Sequence, residues 1–140
     1  EPVVRRYDYD ADSGRIGMRR SDLVSLAARP GSPDGLVVDR LGRVWVPQWQ
    51  GGEINCIDED GSVVMTWPVP TTQPTCAGFA GATSSTLVLT TSWESMSHSQ
   101  RVDDRWAGHV LVADQEVPGL APARFGSGRT RRRPHRAARH

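Results

Sequence analysis

Lysine is absent from this chain of 140 residues, so all 17 of its basic residues are arginine. We interpret this as a compositional bias of the source and not as a sign of function. Cysteine is scarce too, because the chain has only 2, Cys56 and Cys76, both in apolar or strand-like sequence. They are too few for a disulfide framework or a zinc site, so we expect reduced, half-buried thiols.

Long apolar runs and the usual serine nucleophile motif are also missing. No run of about 18 apolar residues occurs and no signal peptide heads the chain, so we expect a soluble, cytoplasmic protein without a membrane partner. No Gly-x-Ser-x-Gly motif occurs, which argues against a serine hydrolase. His98 and His109 have no catalytic partner nearby in the sequence, so we expect them at the surface or in packing.

Acidic residues are missing from one end of the chain. Residues 129–140 hold 6 of the 17 arginines and none of the 16 acidic residues, so the rest of the chain is mildly acidic. Residues 127–140 show no apolar periodicity and are predicted to be a disordered, arginine-rich tail. The tail contains no aromatic residue, so we do not expect nucleic acid as a partner, although arginines can contact phosphates.

What the chain does contain is a set of four short runs rich in valine, isoleucine and tryptophan, between Pro33 and Val69. Glycine-containing turns separate the runs, at 40–42, 50–52 and 59–61. This pattern predicts four antiparallel strands joined by tight turns. One such sheet takes about 40 residues, the length of a propeller blade. We expect its tryptophans to pack between blades, with Trp49 allowed a place at the channel mouth.

Strand patterns also flank this central sheet. Residues 3–10 and 15–26 predict a hairpin, interpreted as the outer two strands of an incomplete blade. Residues 75–80 and 86–92 begin a further sheet, which continues after a polar loop over 93–106. The predicted fold class is all-β, with about two and a half four-stranded antiparallel blades. The segments are an incomplete blade, a complete blade, a final blade and the tail, at residues 1–30, 31–70, 71–126 and 127–140.

The hairpin tip carries three alternating aspartates, Asp8, Asp10 and Asp12. Alternate carboxylates in a tight loop can bind calcium. However, the sixth position of such a loop would be Ser13, where glycine is needed, and the twelfth would be Arg19, where glutamate is needed. We therefore predict that these residues form a hairpin tip and not a metal site.

A family resemblance rests on an ordered series of motifs. Pro-Asp-Gly at 33–35, followed by Gly-Arg-Val-Trp-Val at 42–46, resembles a signature of the SMP-30/gluconolactonase/LRE-like, regucalcin-type family. The similarity continues through Leu-Val-Leu-Thr-Thr-Ser at 87–92 and Val-Pro-Gly-Leu-Ala-Pro at 117–122. The matched stretch, residues 3–126, corresponds to the C-terminal half of the family's proteins.

The resemblance implies a six-bladed β-propeller that hydrolyses sugar-acid lactones with one divalent metal, calcium or zinc, at the mouth of its channel. In the family, the metal is held by a glutamate near the N-terminus, by asparagines of the middle blades and by the aspartate of Pro-Asp-Gly. Only the last of these is carried over, onto Asp34. Asp34 is therefore the candidate metal ligand and catalytic residue, which would take a proton from the attacking water.

The remaining metal ligands of the family are not matched here. Asn55 is the only asparagine and lies within a strand pattern, and Glu1 does not stand in the setting of the N-terminal ligand. The chain starts without methionine, so we expect a fragment. Two hypotheses follow: a lactone hydrolase represented by its C-terminal part, or a non-catalytic β-sheet module for binding. Either one would have open blade edges that favour self-association.

Overall fold

The computed structural model describes residues 1–121. The predicted tail at 127–140, and the last residues of the predicted final blade, lie outside the described residues. Within residues 1–121 the strands form three antiparallel sheets, which follow one another along the chain. No helix of this described part is long and apolar enough to cross a membrane.

The first sheet is a hairpin, as the sequence predicts. Its strands are β1 (Val3–Asp10) and β2 (Arg15–Ser25), and they are mostly exposed beyond the base. At the tip, the Asp10 carboxylate accepts hydrogen bonds from the backbone N–H of Asp12 at 2.9 Å and of Ser13 at 3.3 Å. Bonds from the side chain and backbone of Ser13, followed by that of Asp12, lower the pKa of Asp10. The carboxylate therefore closes a turn.

The second sheet contains the four predicted runs, and the first of them is split in two. In chain order its strands are β3 (Ser32–Pro33), β4 (Val37–Val38), β5 (Val44–Trp49), β6 (Glu53–Ile57) and β7 (Val63–Pro68). Both β3 and β4 pair with β5, so they are two pieces of one interrupted edge strand. The interruption arises because the N–H of Gly35 bonds to Thr75 O of the next sheet, at 2.9 Å.

The third sheet has the strand order β10-β9-β8. Its strands are β8 (Pro74–Ala80), β9 (Thr86–Thr91) and β10 (Val110–Asp114). The polar loop expected over 93–106 contains a short helix, α1 (His98–Asp103). A capping box begins this helix, since Ser97 Oγ accepts from Gln100 N–H while Gln100 Oε1 accepts from Ser97 N–H. The described chain is therefore mostly β with one short helix.

Trp45 on β5 is the centre of the main core. It is 1% exposed and meets Trp67 and Phe79 edge to face, with ring centroids 5.6 and 6.4 Å apart. Leu87 and Leu89 of β9 complete this cluster, which joins the second sheet to the third. The prediction that tryptophans of the central sheet pack between sheets is therefore confirmed for Trp45 and Trp67.

A smaller cluster joins the hairpin to the central sheet. It consists of Val4, Leu26, Val46 and Ile57, all of them buried. Val46 follows Trp45 on β5 and therefore faces the opposite side of the sheet. The central sheet thus has apolar contacts on both faces, one with each neighbouring sheet.

A buried carboxylate, Asp39, closes the turn between β4 and β5. It is 0% exposed, and it accepts hydrogen bonds from the N–H of Leu41 at 2.9 Å and of Arg43 at 3.1 Å. Its second oxygen accepts from Arg43 Nε at 2.8 Å and Trp45 Nε1 at 3.0 Å. Burial opposes ionisation, but the bonds from Trp45, Arg43 and Leu41 outweigh it and lower the pKa of Asp39.

Replacement of this carboxylate should destabilise the fold in a pH-dependent way. We expect Asp39→Asn to lower the free energy of unfolding by about 2–4 kcal/mol at pH 7, because the amide leaves buried donors without acceptors. The pKa of Asp39 is lowered in the folded chain. Its stabilising effect is therefore full above the unfolded pKa of about 3.9 and is lost as pH falls through the folded value.

Urea denaturation of both proteins at pH 7 and at pH 3 checks this expectation. The difference in unfolding free energy between wild type and Asp39→Asn should narrow at the lower pH. The exposed Asp114 offers a matched control, because Asp114→Asn should change stability by less than about 0.5 kcal/mol. A difference that is constant with pH would contradict the role given to the Asp39 charge.

The two free thiols should react differently with a thiol reagent. Cys76 is exposed, whereas Cys56 is buried and its burial raises the pKa of its thiol to about 11. The expectation of two half-buried thiols is therefore wrong, because the structure has one exposed thiol and one buried thiol. At pH 8 the native protein should label at one cysteine, and a second should react only in urea. Cys76→Ser should abolish native labelling, and two fast thiols in the native state would contradict this fold.

Candidate functional site

A cavity of about 330 Å³ lies at one edge of the second and third sheets. Strands β3 and β8 begin at this edge, and strands β5 and β9 end there. The terminal pairs are Ser32 of β3 with Trp49 of β5, and Pro74 of β8 with Thr91 of β9. The lining residues therefore come from four separate places in the chain: Ser32, Pro33, Asp34, Trp49, Thr75, Ser92 and Glu94. Two carboxylates, one indole and three hydroxyl groups face the same space.

Asp34 lies in the interruption between β3 and β4. Its backbone N–H donates to Pro47 O at 3.1 Å, which holds the residue against β5. Its side chain is exposed and, among the described residues, forms no ion pair. The carboxylate is thus held at the cavity by its backbone and is accessible to a ligand. Its metal-binding and catalytic roles remain predictions.

Gly35 sets how closely the interrupted strand approaches the third sheet. A Cβ atom at this position would lie 2.6 Å from Cys76 Sγ and 2.9 Å from Cys76 Cβ, which is closer than real Cβ contacts. Together with the bond from Gly35 N–H to Thr75 O, this close approach fixes the position of Asp34 relative to β8. The Pro-Asp-Gly motif therefore needs its glycine for packing.

Glu94 is the second carboxylate of the cavity, and no sequence prediction assigned it a role. It follows β9 in the loop that leads to α1, 60 residues after Asp34 along the chain. Only the pairing of β8 with β9 brings it to the same edge. The sequence signal for Glu94 is an acidic residue shortly after the most strand-like run, where that strand ends at a sheet edge.

A larger cavity, of about 520 Å³, lies between α1 and the segment that follows β7. The carboxylate of Asp104, which lines this cavity, accepts hydrogen bonds from other residues of the protein. One Asp104 oxygen accepts from Thr71 Oγ at 3.1 Å and from both N–H and Oγ of Thr72 at 2.8 Å. Burial opposes ionisation, but these bonds lower the pKa of Asp104. We therefore assign Asp104 to anchoring the end of α1 to the connection between β7 and β8.

The described residues do not by themselves form a site for a divalent metal. Residues 1–121 contain no group of three or more histidine, cysteine, aspartate or glutamate side chains placed to hold an ion. Calcium takes six to eight oxygen ligands, and the cavity offers the carboxylates of Asp34 and Glu94. The cavity therefore offers two carboxylates toward such a shell, and the metal-binding role of Asp34 stays a prediction.

Asn55, His98 and His109 do not line this cavity. Asn55 is buried in β6, where its Nδ2 donates to Glu53 Oε1 at 3.0 Å and its Oδ1 accepts from Thr66 Oγ1 at 2.8 Å. Those bonds occupy it within the sheet, away from the cavity. His98 and His109 are both exposed, as expected from the sequence.

The chain is similar in sequence to sugar lactonases. A family model described as the SMP-30/Gluconolactonase/LRE-like region matches residues 1–93. The 6-deoxy-6-sulfogluconolactonase of Pseudomonas putida is 33% identical over 123 residues, which cover 88% of this chain and 42% of that protein. The L-arabinolactonase of Azospirillum brasilense is 38% identical over 95 residues, which cover 68% of this chain and 31% of that protein.

A solved structure shows the same likeness in three dimensions. The calcium-binding protein regucalcin of Agrobacterium tumefaciens matches with a TM-score of 0.79 and 26% identity, over 85% of this chain and 40% of that protein. The chain spans less than half the length of the relatives described here, between 31% and 42%.

Substitution of Gly35 should destabilise the contact between the second and third sheets. We expect Gly35→Ala to lower the free energy of unfolding by about 1–3 kcal/mol, since the added methyl group overlaps Cys76 and one strand must move. Gly78→Ala is the matched control, because a Cβ at Gly78 of β8 meets nothing within 4 Å. Urea denaturation of both variants measures the difference, and equal effects would contradict the close approach.

Proposed function

This chain belongs to the SMP-30/Gluconolactonase/LRE-like family, and on that premise we propose that it forms the Asp34-bearing part of a hydrolase acting on sugar lactones. The observation that carries the proposal is the exposed Asp34 carboxylate in a cavity that also contains Trp49 and hydroxyl side chains. An aromatic face and polar groups together suit a hydroxylated ring. The lactonase names of the relatives support the same substrate class.

The same proposal extends to the architecture. The three sheets would be about two and a half blades of a six-bladed propeller, with the incomplete blade within 1–30, the complete blade within 31–70 and the described part of the final blade within 71–121. The likeness to regucalcin supports this arrangement. The cavity would then lie at the mouth of the central channel, where the first strands of successive blades begin.

The reaction proposed for Asp34 is proton removal from water during ring opening. Water attacks the lactone carbonyl carbon, and the Asp34 carboxylate accepts the proton that water loses. The carbonyl carbon then separates from the ring oxygen, which takes up the proton from Asp34 and becomes a hydroxyl group, while the carbonyl becomes a carboxylic acid and Asp34 returns to its carboxylate form. The Asp34 carboxylate is exposed and forms no ion pair with any of residues 1–121, so it is available for this step.

A divalent metal is part of the proposed active state. Asp34 would supply one carboxylate oxygen, and the other ligands would come from outside the described residues, because residues 1–121 contain no three-ligand group. Calcium is one candidate, since the similar regucalcin is described as calcium-binding, and zinc is the other. When bound, such an ion would polarise the lactone carbonyl.

A non-catalytic binding module is the second candidate function. It is favoured by the same observation, the lack of a three-ligand group within residues 1–121. We also propose self-association, because among residues 1–121 β10 is at the edge of its sheet, with Val110 and Val112 exposed by 61% and 69%. Sedimentation of the purified chain over a range of concentrations measures this self-association directly.

Activity measurements on wild type and on an Asp34 variant distinguish the lactone hydrolase from the non-catalytic binding module. We expect the full chain to release acid from D-glucono-δ-lactone faster with calcium or zinc than with chelator, and Asp34→Ala to lower that activity at least about 100-fold. The unfolding free energy should change by less than about 0.5 kcal/mol, because the side chain is exposed. Acid release at constant pH and urea denaturation measure the two quantities.

The control variant is Asp114→Ala, an exposed aspartate at the far end of β10. It should keep both activity and stability. Hydrolysis at the spontaneous rate in wild type would contradict the hydrolase proposal and support the binding module. Full activity in Asp34→Ala would contradict the catalytic role of Asp34 but not the hydrolase proposal.

A further inference from the structure

The cavity of Asp34 contains a second carboxylate, Glu94, held on a loop with a defined shape. Its backbone N–H donates to Ser92 Oγ at 2.9 Å, and Met96 N–H donates to Trp93 O at 3.1 Å, which closes a tight turn around it. Ser95 has a φ of 61°, in the left-handed region that non-glycine residues rarely adopt. The turn therefore keeps a specific conformation.

Contacts within the segment, together with the hydrogen bonds of Asp104 to the rest of the protein, support this loop. Met96 is 8% exposed, so its side chain is buried beneath the turn. Arg101 of α1 donates from Nε to Met96 O at 3.2 Å, and its guanidinium lies 5.2 Å from the Trp93 ring centroid. Asp104 then ties the end of α1 to Thr71 and Thr72. Glu94 is thus presented by a supported segment.

Nothing in the described part of the chain neutralises the Glu94 carboxylate. It is exposed and takes part in none of the ion pairs formed by residues 1–121. Its loop has an arginine, Arg101, but that guanidinium lies over Trp93 and bonds to a backbone carbonyl. A charged carboxylate that lines a cavity without an internal partner is available to accept hydrogen bonds from a ligand.

We propose that Glu94 is a specificity-determining residue, whose carboxylate accepts hydrogen bonds from ring hydroxyl groups of a polyhydroxylated lactone. The inference rests on the proposed function of the Asp34 cavity and assigns a different task to each carboxylate. Asp34 acts at the reacting carbonyl, and Glu94 recognises the hydroxyl groups that distinguish a sugar lactone from an unsubstituted one. Trp49, on the same cavity wall, offers its ring to the apolar face of the sugar.

Selectivity is expected because a carboxylate gains hydrogen bonds from a hydroxylated ring but only loses hydration beside an unsubstituted ring. A carboxylate placed to receive two hydroxyl groups gains charge-assisted bonds with a sugar lactone. With a ring that lacks those hydroxyls, the carboxylate must lose water without replacement, so binding is weaker. Substitution of Glu94 should therefore change the preference for the sugar lactone over the unsubstituted lactone more than it changes the rate on the unsubstituted lactone.

Binding of stable analogues tests this without any need for turnover. The full chain is titrated with D-gluconolactam and with δ-valerolactam, which are a hydroxylated and an unsubstituted six-membered ring that resist hydrolysis, and calorimetry reports both affinities. We expect wild type to prefer the gluconolactam and Glu94→Gln to weaken its binding roughly 10- to 100-fold, with less than about twofold change for δ-valerolactam. Glu94→Asp should restore part of the preference.

The matched control is Glu116→Gln, the same substitution at an exposed glutamate beyond the far end of β10. It should leave both affinities unchanged. An equal loss for both lactams in Glu94→Gln, an unchanged affinity for gluconolactam, or no gluconolactam binding by wild type would each overturn the role of Glu94. Binding that depends on Glu94 in a chain that hydrolyses no lactone would support this role and contradict the hydrolase proposal.

Discussion

The buried carboxylate of Asp39 is the interaction on which the rest of the structure depends. It closes the turn between β4 and β5 through the N–H groups of Leu41 and Arg43, and it also receives the indole N–H of Trp45. Trp45 is the residue through which the second sheet packs against the third. One anion therefore fixes a turn, satisfies the polar atom of the largest core side chain and sets where that side chain lies.

The candidate site lies at the edge of the sheets that this core joins. Because Trp45, Leu87 and Leu89 pack the second sheet against the third, the start of β8 and the end of β9 lie beside the interrupted strand that carries Asp34. The Gly35 backbone then bonds directly to Thr75. The cavity is thus a consequence of sheet packing, and its two carboxylates come from different sheets.

Local patterns predicted much of this fold because turns and strands depend on neighbouring residues. The hairpin of β1 and β2 and the strands of the central sheet follow alternation and turn glycines. The helix α1 was missed although Ser97 and Gln100 have the spacing of a capping box, because a six-residue helix shows too little periodicity. The different burial of Cys56 and Cys76 was missed too, since it depends on which sheet face meets a neighbour.

The sequence by itself determined the strand pattern, the turns and the place of Pro-Asp-Gly at the start of the central sheet, because each depends on residues adjacent in the chain. Tertiary structure alone decided that Asp39 is the buried anchor, that Gly35 lies against Cys76 and that Glu94 shares a cavity with Asp34. Those relations join residues far apart in sequence. They exist only once apolar burial has brought the sheets together, and no local pattern specifies which distant partner a polar side chain will meet.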